Sequence, residues 1–333
     1  MMKGNEMENI ICIYHGNCAD GFTAAWAVWK RFPNAEFHAG VYGEDPPDVS
    51  QKRVILVDFS YKPDVLREMS RKAESMLILD HHKSAMEEIK NYEMIENGKK
   101  CQLFVNMFQE YSGPLTWDRH IQNAYQDYCE GIPRALIYTV LDMNRSGARI
   151  AWDFFHPDNL VPQLVLHVED RDLWRFELEK TREIQSYVFS HEYTFDNWDF
   201  LAGMCDDPEG YKEIASAGAA IERKHFKDVA ELIKVSKRRM FIGGHEVYVV
   251  NLPYTMASDA CHALCKETMY PSGSGELNTT PPFGASYWDG HNGRTFSLRS
   301  IGNFDVSEVA RKYGGGGHKN AAGFKVPIGW EGD

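Results

Sequence analysis

Three short apolar runs in the first quarter of the chain each end in residues that bind metal ions. Ile10-Ile11-Cys12-Ile13-Tyr14 leads into His15 and Asp20, Val54-Ile55-Leu56-Val57 into Asp58, and Met76-Leu77-Ile78-Leu79 into Asp80-His81-His82. Runs without polar alternation fit strands buried on both faces of a sheet. Each is followed by a helix-forming stretch: the Ala- and Trp-rich Phe22 to Trp29, then Lys62 to Ala73 with Pro63 suited to a first turn, then Ala85 to Asn91. Strand and helix in alternation predict an α/β fold with a largely parallel sheet. In an open sheet of that kind the chemistry gathers at the carboxyl ends of the strands. The three acid- and imidazole-bearing ends should therefore meet at one rim.

Carboxylate oxygens suit manganese and magnesium, and imidazole tolerates manganese, iron and zinc. His15, Asp20, Asp58 and His81, with Asp170 or Asp172 from the run Val165 to Trp174, would supply a mixed nitrogen and oxygen set. Such a set suits two ions about 3.5–4 Å apart. Asp170 is favoured, leaving Asp172 to pair with Arg171 or Arg175. Asp58, on the middle strand end, is the natural bridging carboxylate, and water activated between the ions would attack phosphorus. Asp80 and His82 belong beside the chemistry, with His82 binding a phosphate oxygen or assisting the leaving group. A lone aspartate after a strand is ordinarily a cap or a turn former. That account does not cover three strand ends of one series with the same chemistry. Cys18 is either a soft ligand near this pocket or a small turn residue.

At 333 residues the chain fits two domains. They are expected as 1–190, a helical connector over 191–239, and a smaller mixed α/β domain over 240–333. Residues 101 to about 180 read as mostly helical, with turns at Ser112-Gly113-Pro114 and His156-Pro157. A long helix is expected from about Pro208 to Arg239. Beyond it come short strands at Glu246 to Asn251, Phe283 to Trp288 and Thr295 to Arg299, with a loop over Tyr270 to Pro282. The glycines Gly314, Gly315, Gly316 and Gly317 ahead of His318 would let backbone N–H groups form an anion nest. His318, Lys319 and Arg299 would add charge-assisted bonds to phosphate. Cys261 and Cys265 read as one buried helix face rather than a zinc site, and Trp26, Trp29 and Phe32 as core.

Several classes are disfavoured. The net charge of −12 argues against a grip on long duplex nucleic acid. No long apolar stretch calls for a membrane span, and the polar start of the chain has no signal-peptide core. Seven cysteines without a CxxC pair fit a reduced, cytoplasmic protein.

Taken together, these residues resemble the DHH phosphoesterase superfamily with its C-terminal DHH-associated domain, over nearly the whole chain. The motifs are His15 to Gly21, Val57-Asp58-Phe59-Ser60, Asp80-His81-His82, Glu169 to Asp172, and Gly314 to His318 with Ala321-Ala322-Gly323. Tyr14 to Cys18 and Asn144 to Ala148 are most similar to the oligoribonuclease and cyclic-nucleotide phosphodiesterase (nano-RNase-like) branch. The resemblance implies two manganese ions, with magnesium as the alternative, in a cleft between the domains. Their ligands would be His15, Asp20, Asp58, His81 and Asp170, while Arg299 and His318 would hold a substrate phosphate. Cys18 departs from the pattern, since many members carry an aspartate there. The activity implied is hydrolysis of short oligonucleotides, or of linear or cyclic dinucleotides, to mononucleotides. Polyphosphate hydrolysis and a nucleotide-binding module with little turnover are the alternatives. A homodimer is compatible with all three.

Overall fold

The computed structural model describes residues 9–16, 18–96, 99–101, 103–106, 137–267 and 280–333. They fall into two compact units, 1–219 and 220–333. The first unit opens with β1 (Ile10–His15), α1 (Ala19–Arg31), β2 (Glu36–Gly40), β3 (Arg53–Val57), α2 (Pro63–Ser70), β4 (Ser75–Asp80) and α3 (Lys83–Lys90). The hairpin β5 (Met94–Glu96) and β6 (Lys99–Cys101) precedes β7 (Phe104–Asn106) and β8 (Ile137–Leu141). The sheet order is β2-β1-β3-β4-β8-β7, and every neighbouring pair is parallel.

Both faces of this sheet are covered, as its unbroken apolar strands require. Ile10, Cys12, Ile55, Val57, Leu77 and Leu79 pack on one side. Their alternates Ile11, Ile13, Val54, Leu56, Met76 and Ile78 pack on the other. On the first side lie α1 and four later helices: α4 (Gly147–Phe155), α5 (Gln163–Asp172), α6 (Thr181–Val188) and α7 (Phe195–Asp206). In α1, Phe22, Ala25, Trp26 and Trp29 recur at helical spacing. Trp26 stacks on Trp152 with centroids 5.4 Å apart, and its indole N–H donates to Asp199. The tryptophans are core.

The expectation of a mostly helical 101–180 needs correction. Phe104–Asn106 and Ile137–Leu141 are strands that extend the parallel sheet. Ile137-Tyr-Thr-Val is β-branched and aromatic, a strand signal masked by its short length. The edge strand β2, with its half-exposed residues, likewise lacks a clear signal. The expected turn at Ser112-Gly113-Pro114, and most of the expected loop over 270–282, lie outside the described residues.

Helix α8 (Pro208–Ser236) runs for 29 residues, and the division between the units falls within it. The second unit continues with β9 (Arg238–Ile242), β10 (His245–Asn251), α9 (Ala257–Leu264), β11 (Gly284–Gly290), β12 (Gly293–Arg299), α10 (Val306–Arg311), β13 (Gly316–His318) and β14 (Ala321–Val326). Its sheet is mixed, ordered β13-β14-β12-β11-β10-β9, with β10 and β11 parallel and the other pairs antiparallel. Phe283, Phe296, Leu298 and Phe324 centre its core. Cys261 and Cys265 are buried, with their thiols against the carbonyls of Ser297 and Arg299. They form one packed helix face.

Candidate metal centre

The strand ends of the first unit converge. His81, 2% exposed, brings Nε2 to 3.0 Å from Asp58 Oδ1, 3.5 Å from Asp172 Oδ2 and 3.6 Å from Asp20 Oδ2. Asp58 also faces His15 Nδ1 at 3.5 Å and His82 Nδ1 at 3.7 Å. Among the described residues of this unit, ligand atoms gather into three groups, each within 4.8 Å: His15, Cys18 and Asp58; Asp20, His81 and Asp172; Asp58, Asp80 and His82. Asp58 belongs to two of them and touches the third, which is where a bridging carboxylate belongs.

Local backbone explains how each group is aimed. Asp58 follows the last residue of β3 in a left-handed conformation, φ 53°, a region that aspartate tolerates better than most residues. The turn swings its carboxylate back over the sheet rim while its N–H donates to the Leu79 carbonyl. Asp80 accepts from the N–H groups of His81 and His82 and from His82 Nδ1 at 2.8 Å. One carboxylate thus fixes the turn, the ring and, when it is neutral, the tautomer of His82.

Asp20 is held by the start of α4. Gly147 N–H donates to Asp20 Oδ2 at 2.6 Å and Ala148 N–H to Oδ1 at 3.0 Å, where the helix dipole also favours a negative charge. A Cβ on Gly147 would lie 2.4 Å from Asp58 Cβ, so this approach requires glycine. Asn144 to Ala148 thus delivers the backbone cradle of an acid more than a hundred residues away. Only the family resemblance flags that segment.

Of the expected ligands, His15, Asp20, Asp58 and His81 come together and Asp170 does not. Asp170 Oδ1 accepts from Glu177 N–H at 2.8 Å, and Oδ2 from Leu178 N–H and the Thr181 hydroxyl at 3.2 and 2.5 Å. Two positions along a helix are about 200° apart. Asp170 therefore faces the turn after α5, while Asp172 faces the cluster. Tyr42, whose ring lies 5.3 Å from that of His15 and 4.7 Å from that of Phe59, also lines this rim. Its loop carries no sequence signal of that role.

The charges are poorly matched without a cation. Burial opposes ionisation of Asp58, but the imidazoles of His15, His81 and His82 hold its carboxyl well below the usual range. Burial pushes Asp20 up, reinforced by the charges of Asp58 and Asp172. Burial works against protonated His15 and His81, yet the facing acids raise both well above an ordinary imidazole. Both oxygens of Asp58, Oδ2 of Asp80 and Nδ1 of His15 are buried without a well-aligned hydrogen bond. Buried polar atoms left this way are costly. Hard oxygen and imidazole donors around an orphaned carboxylate fit divalent cations.

A pH dependence follows. A raised imidazole pKa stabilises the folded, metal-free protein below the unfolded value of about 6.5, and that stability is lost as pH rises through the folded pKa. Cations must displace the same protons. The metal-free melting temperature should therefore fall as pH rises above about 6.5, while the metal-induced shift grows. Thermal melts with and without manganese check both signs.

In the second unit, Arg299 and His318 both pair with Ala321, from either side of β14. They thus share one row across the sheet, roughly 10 Å apart by strand spacing. Arg299 donates to Ser258 Oγ. The glycine run forms the turn into β13 and that edge strand itself. A Cβ on Gly315 would lie 2.1 Å from the Gly323 carbonyl, and one on Gly317, at φ +139°, 2.5 Å from that of Ala321. Close backbone packing thus accounts for Gly315 and Gly317.

Residues 287–330 match the DHHA1 domain family. Residues across 97% of this chain superpose on 83% of the DHH domain structure of a member of a ribosomal protein family, with a TM-score of 0.51 at 10% identity. The chain shares the fold of that DHH domain. It is 26% identical over 344 residues to the uncharacterized protein R106 of Acanthamoeba polyphaga mimivirus, covering 94% of this chain and 66% of that protein. The chain thus spans slightly less than two thirds of the length of that curated relative. RecJ of Thermus thermophilus, solved in complex with Mn2+, aligns over 96% of this chain and 50% of its own, with a TM-score of 0.40 at 14% identity. Among the described residues no helix is long and apolar enough to cross a membrane.

Proposed function

We propose that this protein is a metal-dependent phosphodiesterase of the DHH superfamily that hydrolyses short oligonucleotides or dinucleotides to mononucleotides. The observation that carries the reading is the orphaned carboxylate of Asp58, faced by three imidazoles and flanked by Asp20 and Asp172. His15, Asp20, Asp58, His81 and Asp172 would hold the cations, with manganese expected at the Asp20, His81 and Asp172 group and Asp172 replacing Asp170. Bound there, divalent cations would supply Lewis-acid stabilisation of phosphoryl charge and a nucleophile at neutral pH.

The chain's own side chains do the rest. Asp80 holds His82 by Nδ1, so Nε2 is the nitrogen that would meet a phosphoryl oxygen or carry a proton to the leaving oxygen. The N–H groups at the start of α4 hold Asp20 in place. Arg299 and His318 would grip a substrate phosphate. The net charge of −12 favours a small substrate held by a few such contacts over a long strand held by many.

The test is a panel of short 5′-phosphorylated oligonucleotides, linear and cyclic dinucleotides and polyphosphate, assayed with manganese, magnesium and zinc. Release of mononucleotides from the short diesters with manganese is expected. A higher kcat/KM on polyphosphate would overturn the substrate class. Arg299→Ala should raise KM for these diesters by roughly 10- to 100-fold, the value of a hydrogen bond to a charged group, with kcat little changed.

A further inference from the structure

We propose that Cys18 is a metal ligand, and that the His15, Cys18 and Asp58 group takes a softer divalent ion than the Asp20, His81 and Asp172 group. This rests on the metal-centre reading above and deepens it. The Cys18 sulfur, a ring nitrogen of His15 and a carboxylate oxygen of Asp58 all lie within 4.8 Å of one another. Cys18 occupies the N-cap of α1 with extended backbone, φ −128° and ψ 133°, but its side chain makes no capping hydrogen bond. That position normally employs a side-chain acceptor to satisfy the first helical N–H groups. Here the side chain is given to the site instead.

An independent observation points to a ligand. Asp58 is 1% exposed, its two oxygens receive no well-aligned hydrogen bond, and it reaches into the same group. The other described cysteines have packing roles: Cys12 and Cys205 lie in the core around the parallel sheet, and Cys261 and Cys265 bond to carbonyls. Thiolate with imidazole favours zinc, cobalt or cadmium over manganese, whereas two carboxylates with imidazole have no such bias. On binding, the Cys18 thiol loses its proton to solvent and the sulfur donates the freed pair to the ion.

Cobalt(II) is the probe, because a thiolate ligand gives it a sulfur-to-metal charge-transfer band in the near ultraviolet. The full chain, stripped of metal, is titrated with cobalt while retained ion is counted by equilibrium dialysis. The wild type should show the band. Cys18→Ser should lose it with its melting temperature kept, and Cys18→Asp should retain cobalt without the band and shift preference from zinc toward manganese. Cobalt retained by the wild type with no band, or a band that survives in Cys18→Ser, overturns the thiolate assignment and leaves the metal centre standing. No retained cobalt overturns both.

Discussion

Asp58→Asn is expected to abolish metal-dependent hydrolysis while leaving the parallel sheet folded. The residue touches every ligand group, through His15, His81 and His82, so neutralising it removes the shared negative charge of both sites at once. A fall in kcat of at least about a thousandfold is expected, comparable to losing a main electrostatic stabiliser. Asparagine is the right replacement because position 58 is left-handed, φ 53°. Asparagine tolerates that region, whereas alanine would add a backbone cost of roughly 1–2 kcal/mol unrelated to chemistry. Loss of manganese binding by calorimetry, with an unchanged far-ultraviolet spectrum, is the readout. Unaltered manganese affinity would remove Asp58 from the centre. In the metal-free protein the same change also removes the partner that raises His15 and His81. Proton release on residual metal binding should then shrink.

What is legible in the sequence divides along physical lines. The strand ends are readable because a buried parallel strand is an unbroken apolar run, and a His or Asp at its end has no packing reason to be there. Three of the five expected ligands, His15, Asp58 and His81, sit on or just after such ends, and Asp20 lies in the first turn of the helix that follows β1. The core reading of Trp26 comes from helical periodicity, which a thirteen-residue α1 displays clearly. Short strands fare worse: β7 has three residues, too few for any period to show. The cradle of Asp20 by Gly147 and Ala148 is out of reach of spacing arguments, because backbone N–H groups carry no side-chain signature. The glycine run reads as an anion nest, whereas the packing of Gly315 and Gly317 against β14 explains those two glycines without a ligand. Strand packing and anion binding demand the same missing Cβ, so sequence cannot separate them.

The pair Asp170 and Asp172 offers the sharpest contrast between a structural and a functional acid. Both close α5, both lie in a run of charges, and only helix phase distinguishes them. Asp170→Asn should destabilise the protein by about 1–3 kcal/mol, because an amide nitrogen would confront donors that a carboxylate accepts. Those donors are Glu177 N–H, Leu178 N–H and the Thr181 hydroxyl. The Thr181 hydroxyl in turn lies 2.8 Å from buried His167 Nδ1, so the damage should spread along that chain. Asp172→Asn should act in the opposite sense. Burial, with the Asp58 charge behind it and His81 opposing, pushes Asp172 up, so its ionised form is unfavourable in the metal-free fold. Neutralising it should leave the metal-free melting temperature unchanged or higher. Manganese affinity should nevertheless fall by at least about 10–100-fold, the loss that removing even an outer partner of a ligand causes. The two variants, melted with and without manganese, should therefore cross. Asp170→Asn should be the less stable when metal-free but keep its metal-induced shift, and Asp172→Asn should be the more stable when metal-free and lose it. Equal shifts in both would mean that the end of α5 does not contribute a ligand.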